Sequence, residues 1–100
     1  QASGDYGIDI LALKDGIRYA VQCKLYSSPV GNSAIQEAVS GRTYYNCHIA
    51  AVLTNSTFTS NAKNLAKSNN ILLWDREYLR QLMINAKHIN LEPFIDSTTP

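Results

Sequence analysis

The chain has 100 residues, of which 45% are hydrophobic and 17% charged, with a net charge of +1. That size suits one small domain with a single core, and that composition excludes a disordered chain. The near-neutral charge makes no global demand for nucleic acid, and the longest apolar runs, such as Ile49 to Leu53, are too short to cross a bilayer.

No signal peptide is visible at the start of the chain. It opens with Gln1 rather than Met and reaches its first strand within a few residues, so it reads as a fragment whose true N-terminus lies upstream. The two cysteines, Cys23 and Cys47, form no C-x-x-C motif, and the adjacent Cys47 and His48 are poorly spaced for zinc. A reducing cytoplasm is the simplest setting for them.

The first predicted unit is a β-hairpin, Gly7 to Lys14 and Ile17 to Leu25, turning at Asp15-Gly16. Asp-Gly between two apolar runs is a strong hairpin signal, because both turn residues tolerate positive φ. Counting outward from a two-residue turn sets Lys14 opposite Ile17, Ala12 opposite Tyr19, Ile10 opposite Val21 and Ile8 opposite Cys23. Those residues form a nearly pure apolar face. On the other face Leu13 meets Arg18, Leu11 meets Ala20, Asp9 meets Gln22 and Gly7 meets Lys24. Directly opposed side chains lie roughly 5 Å apart at Cβ and diagonal ones about 7 Å. A carboxylate, a carboxamide and an ammonium thus converge at one end of a hydrophobic hairpin.

Ser27 to Gly31 is a loop by composition. Ser33 has the pattern of an N-cap, with Gln36 completing a capping box, before a helix from Ala34 to Tyr45 that turns Ile35, Ala38, Val39 and Arg42 to one side. Ile49 to Thr54 is a continuous apolar run, the pattern of a strand buried on both faces. A second helix, Asn61 to Ser68, is capped by Thr59 or Ser60 and ends at Asn69-Asn70. Ile71 to Trp74 is a further buried strand. Asp75 caps a third helix, Arg76 to Lys87, with Tyr78, Leu79, Leu82 and Met83 toward the core. Residues 89–100 read as a tail after a domain spanning 1–88. The expected fold is α/β, a mixed sheet with right-handed crossovers and helices on both faces. The C-terminal strand ends, with Lys24, Thr54, Asn55 and Ser56, then share the edge where open α/β sheets bind ligands.

Mg²⁺ takes hard oxygen ligands, keeps several waters and needs only one or two protein side chains. Asp9 and Gln22 can supply these, with the backbone carbonyl of Cys23 as a third. Lys24 is placed to orient a water or stabilise charge on a phosphate, and a depressed pKa would let it act as base. The constellation suits metal-dependent phosphodiester hydrolysis. The same spacing also fits an edge salt bridge between Asp9 and Lys24 with Gln22 solvated beside it.

The stretches GDYGIDI, VQCK, AIQEAV and AAVLTNSTFTSNAKNLAKSNNILLWDREYL, spanning Gly4 to Met83, closely resemble the catalytic domain of Mrr-type restriction endonucleases. That family is a branch of the PD-(D/E)xK nucleases in which Gln replaces the acid of the last motif. The resemblance implies a restriction-endonuclease-like fold and a DNA phosphodiesterase using Mg²⁺, or Mn²⁺ in its place. It makes Asp9 the motif acid, Gln22 the variant ligand and Lys24 the motif lysine. It also implies attachment to an upstream DNA-recognition or membrane-anchoring segment, and in some members restriction of modified DNA. In the family a helix and a strand precede this stretch, and the helix often carries an acid near the metal. The chain begins too late to include them, so the expectation is that a partner chain in a homodimer, a domain-swapped element or the C-terminal tail covers the open face.

Weaker candidates are Gln36 as an outer ligand of the metal shell, and Ser56 and Lys63 as phosphate contacts near a helix N-terminus. Asp5 more simply fixes the turn before the first strand. His48 and His88 read as structural, Trp74 at the end of a buried strand reads as core, and of Tyr44 and Tyr45 one reads as core. Two other functions share these features. One is a structure-selective nuclease of the Holliday-junction-resolvase type. The other is a nuclease-like module that binds DNA or protein without cutting.

Overall fold

The structure is a computed structural model and describes residues 7–87. Asp5, His88 and the tail lie outside the described residues. In chain order the elements are β1 (Ile10–Lys14), β2 (Ile17–Lys24), α1 (Asn32–Tyr44), β3 (Ile49–Thr54), α2 (Ser60–Asn69), β4 (Ile71–Trp74) and α3 (Arg76–Lys87). The strands form one mixed sheet in the order β1-β2-β3-β4. β1 and β2 are antiparallel, and β2, β3 and β4 run parallel.

The hairpin register agrees with outward counting from the turn, from Lys14 opposite Ile17 to Ile10 opposite Val21. Asp15 and Gly16 have φ of 54° and 80°, the positive pair that a type I′ turn requires. The ladder ends sooner than expected, at Ile10 rather than Gly7, and β2 stops at Lys24 rather than Leu25. Ile8, expected opposite Cys23 on the other face of the hairpin, instead joins the core cluster with Ala20, Ala34 and Ile35. The chain therefore changes register between Ile8 and Ile10.

Helices α1 and α2 cover the sheet face that carries Ala20, Gln22, Ala50, Val52, Ile71 and Leu73. Much of that interface is alanine. Ala20, Ala34, Ala38, Ala50, Ala62 and Ala66 are all buried. Small residues on both sides bring the helices close to the strands, and Ile35, Val30 and Val52 fill the remaining space.

Helix α1 starts earlier than its sequence suggests. Its N-cap is Gly31, with no side-chain cap, and Ser33 lies inside the helix. The cause is the preceding residue. Val30 N–H donates to the Thr57 carbonyl (2.8 Å) and its carbonyl accepts from Thr59 N–H (3.0 Å), forming a one-residue bridge to the β3–α2 loop. That bridge fixes where the chain enters the helix. Thr59 caps α2 as expected, accepting from Ala62 N–H (3.0 Å), and Asn70 ends it in the left-handed region. Asp75 accepts from Tyr78 N–H (2.9 Å) and caps α3.

Helix α3 lies on the opposite side from α1 and α2, where Tyr78 stacks on Trp74 with centroids 5.6 Å apart. Helices thus flank both faces. The expected inward stripe of α3 is only partly covered, however. Tyr78, Leu82 and Met83 are exposed, because α3 packs chiefly against the four-residue strand β4. His48 is structural, its Nδ1 accepting from Arg18 N–H at 2.9 Å. Tyr45 packs at the core margin, and Tyr44 is exposed with its ring edge-on to Tyr45.

The alanine interface makes a direct prediction. Ala38→Leu should lower unfolding stability in urea by about 1–3 kcal/mol through overpacking. Leu13→Lys on the open β1 edge should stay within about 0.5 kcal/mol of wild type.

Candidate active site

Gln22 and Lys24 alternate along β2, so both face α1 near the C-terminal end of the strand. Gln22 is fully buried, at 0% exposure. Its Nε2 donates to Glu37 Oε1, and its Oε1 is buried without a hydrogen-bond partner. Lys24 Nζ lies 3.1 Å from the same Glu37 oxygen. One carboxylate oxygen from α1 thus accepts from both side chains of the Gln-x-Lys motif.

Gly7 closes this arrangement from above. Its φ is +74°, and a Cβ there would stand 2.6 Å from Gln22 Nε2 and 3.0 Å from Glu37 Oε1. Only glycine allows this path so close to the buried amide.

Asp9 does not stand opposite Gln22 in a straight ladder. Its N–H donates to the carbonyl of Val21 (2.9 Å), the residue paired with Ile10, which is the pattern of a bulge. Its carboxylate then accepts from Cys23 N–H at 2.7 Å. The bulge thus re-aims Asp9 at the backbone between Gln22 and Lys24. Asp9 itself is exposed and reachable from solvent.

Partial burial pulls the Lys24 ammonium down, but the Glu37 carboxylate in contact with it, helped by Tyr26, raises its pKa above the ordinary lysine value. Tyr26 places its ring 5.9 Å from Nζ. The depressed pKa that a lysine base requires is therefore not produced here. This lysine stays protonated and suits charge stabilisation. Burial, and after it the negative charge of Asp9, pushes the Cys23 thiol up.

The remaining candidates separate. Gln36 is exposed on α1 beside Ser33, Glu37 and Ser40, with no contact to Gln22 or Lys24 among its described hydrogen bonds. Ser56 is buried and its N–H donates to Thr54 Oγ1 (3.1 Å). Lys63 is exposed near the start of α2. Thr54 is buried, and the Asn55 side chain accepts from Tyr26 N–H (2.9 Å). Glu37 was not picked out from the sequence. The available signal was that it is the one acid in α1, beside an inward stripe of Ala34, Ala38 and Gly41.

The family model of the Mrr catalytic domain, described as restriction endonuclease, matches residues 1–83. The chain belongs to this family and is a nuclease domain that acts on DNA. A solved structure of similar fold is the crystal structure of the protein of unknown function AF1548, with a TM-score of 0.63 and 28% sequence identity over 71% of this chain. The match spans 41% of that chain. Comparison with curated proteins finds no match.

Two measurements check this geometry. Gly7→Ala should destabilise the domain by about 1–3 kcal/mol in chemical denaturation, from strained backbone and the close amide. Cys23 should react with iodoacetamide more slowly than an ordinary thiol at pH 8, since a raised pKa leaves less thiolate. Its rate should keep climbing above the usual thiol range, and Asp9→Asn should speed it at fixed pH.

Proposed function

We propose that this domain is a metal-dependent DNA endonuclease whose site is Asp9, Gln22 and Lys24, serving restriction of foreign or modified DNA. The observation that carries the reading is the orphaned oxygen of Gln22. Leaving a buried acceptor unsatisfied costs about 1–3 kcal/mol. A module that only binds gains nothing from that penalty. A site that receives a divalent cation does.

The donors fit Mg²⁺, with Mn²⁺ as a substitute. Asp9 offers a carboxylate, Gln22 a carboxamide oxygen and Cys23 a backbone carbonyl, all hard oxygens. No group of three or more His, Cys, Asp or Glu side chains suited to a metal occurs among the described residues. That favours an ion which keeps waters and is completed by substrate phosphate, as Mg²⁺ is. When bound, the ion would polarise the scissile phosphate and offset charge on the leaving oxygen. Lys24, held protonated, stabilises negative charge building on the phosphate and orients the attacking water. Asp9 accepts from that water where the bulge leaves it open to solvent.

Lys63 is proposed as a weak phosphate contact. The open β1 edge, with Leu11 and Leu13 exposed, supports pairing with a second copy or with an upstream segment of the full-length protein. No helix among the described residues is long and apolar enough to cross a membrane. Free Cys23 and Cys47 accord with a cytoplasmic setting, which is part of the proposal.

The test is plasmid cleavage by the full-length protein with Mg²⁺ or Mn²⁺. Asp9→Ala and Lys24→Ala should each slow cleavage by about 10²-fold or more. A folded wild type that is inert on methylated, unmethylated and branched DNA would instead favour a binding module. Symmetric cleavage of branched DNA by a dimer would favour a junction resolvase.

A further inference from the structure

The catalytic reading leaves Glu37 without a role, although it touches both motif side chains. It comes from α1, while the motif lies on β2, and its side chain is 46% exposed against 21% for Lys24. A carboxylate that far from burial has water available and no need of these partners for its own solvation. The partners need it. The Gln22 amide is enclosed, and Glu37 Oε1 is the acceptor its Nε2 reaches.

A carboxamide presents a donor at one end and an acceptor at the other, and either can face a neighbour. An ionised carboxylate only accepts. Facing Glu37, the Gln22 amide has one favourable orientation, nitrogen toward the carboxylate and oxygen away. That oxygen is the one left without a partner. Gly7 passes close by, and a side chain there would meet Gln22 Nε2 and Glu37 Oε1.

We propose that Glu37 is a positioning residue that locks the Gln22 amide so its oxygen serves as a neutral ligand for the divalent cation. This deepens the metal-dependent reading above and rests on it. A neutral ligand is a weak one, and at a position where related nucleases carry an acid it works only if its oxygen is always presented. Glu37 removes the competing flip. It keeps a negative charge beside the site without taking the ligand position itself, and it gives Lys24 a fixed place.

Glu37→Gln separates this role from a purely structural one. The new side chain is the same size and retains an acceptor oxygen, so it can keep the α1–β2 contact. It can also donate, so it no longer dictates which way Gln22 points. In the full-length protein, Mn²⁺ affinity measured by the EPR signal of free Mn²⁺ should fall about 10–100-fold in Glu37→Gln, with circular dichroism unchanged. The side-chain NH₂ resonances of Gln22 should move or double in NMR spectra. The exchange variant Gln22→Glu with Glu37→Gln restores a donor–acceptor pair of one fixed sense, and should bind Mn²⁺ at least as tightly as wild type.

Wild-type binding with no loss in Glu37→Gln overturns the inference alone. A folded exchange variant that stays as weak as Glu37→Gln also overturns it. If the exchange variant does not fold, the affinity of Glu37→Gln decides. A wild type that binds no Mn²⁺ overturns the metal reading and this inference with it.

Discussion

A buried carboxamide has to be answered by its surroundings, and in this domain the answer is the carboxylate of Glu37. That contact ties β2 to α1 at the end of the strand where Lys24 also reaches the same oxygen. Much of the local structure follows from it. Helix α1 must lie close to the sheet, which the alanines on both surfaces allow. The chain before β1 must pass over the amide without a side chain, which Gly7 allows. The ladder breaks beside it, and Asp9 accepts from the Cys23 amide. The site is thus a compromise between a regular hairpin and an enclosed polar group.

That compromise is also the boundary of what could be read from sequence. The turn, the register from Lys14 to Ile10 and the parallel strands β3 and β4 were legible, since period-two patterns and Asp-Gly chemistry are local properties. The placement of Gln22 and Lys24 on one side of β2 was legible for the same reason. The bulge at Asp9 was not, because nothing in the period-two pattern of Gly7 to Lys14 marks the break. Ser33 carried the local signature of a cap, yet the bridge at Val30 set the helix start instead. Gln36 was singled out for its place one turn into the helix, one residue short of the side chain that contacts Gln22 and Lys24. The stripe on α3 was read correctly as amphipathic, but amphipathicity says nothing about how much partner surface exists, and β4 offers little.

Charge is arranged economically around the site. Lys24 remains protonated because Glu37 overrides the effect of burial, and Cys23 remains a thiol because burial and Asp9 both disfavour its charge. Lys24 and Glu37 pair beside the buried Gln22 amide, and Asp9 lies on the neighbouring Cys23 backbone. On the proposed reading, such a set would hold a divalent ion without repelling a polyanionic backbone as strongly as three carboxylates would. The family membership and this local chemistry point the same way, although they rest on different residues of the chain.

Anomalous diffraction from crystals of the protein grown with Mn²⁺ tests the central claim most directly. The account predicts a peak within metal–oxygen bonding distance of both the Asp9 carboxylate and Gln22 Oε1, with the Gln22 nitrogen still on Glu37. A peak held by other residues, with Gln22 Oε1 left unliganded, would contradict it.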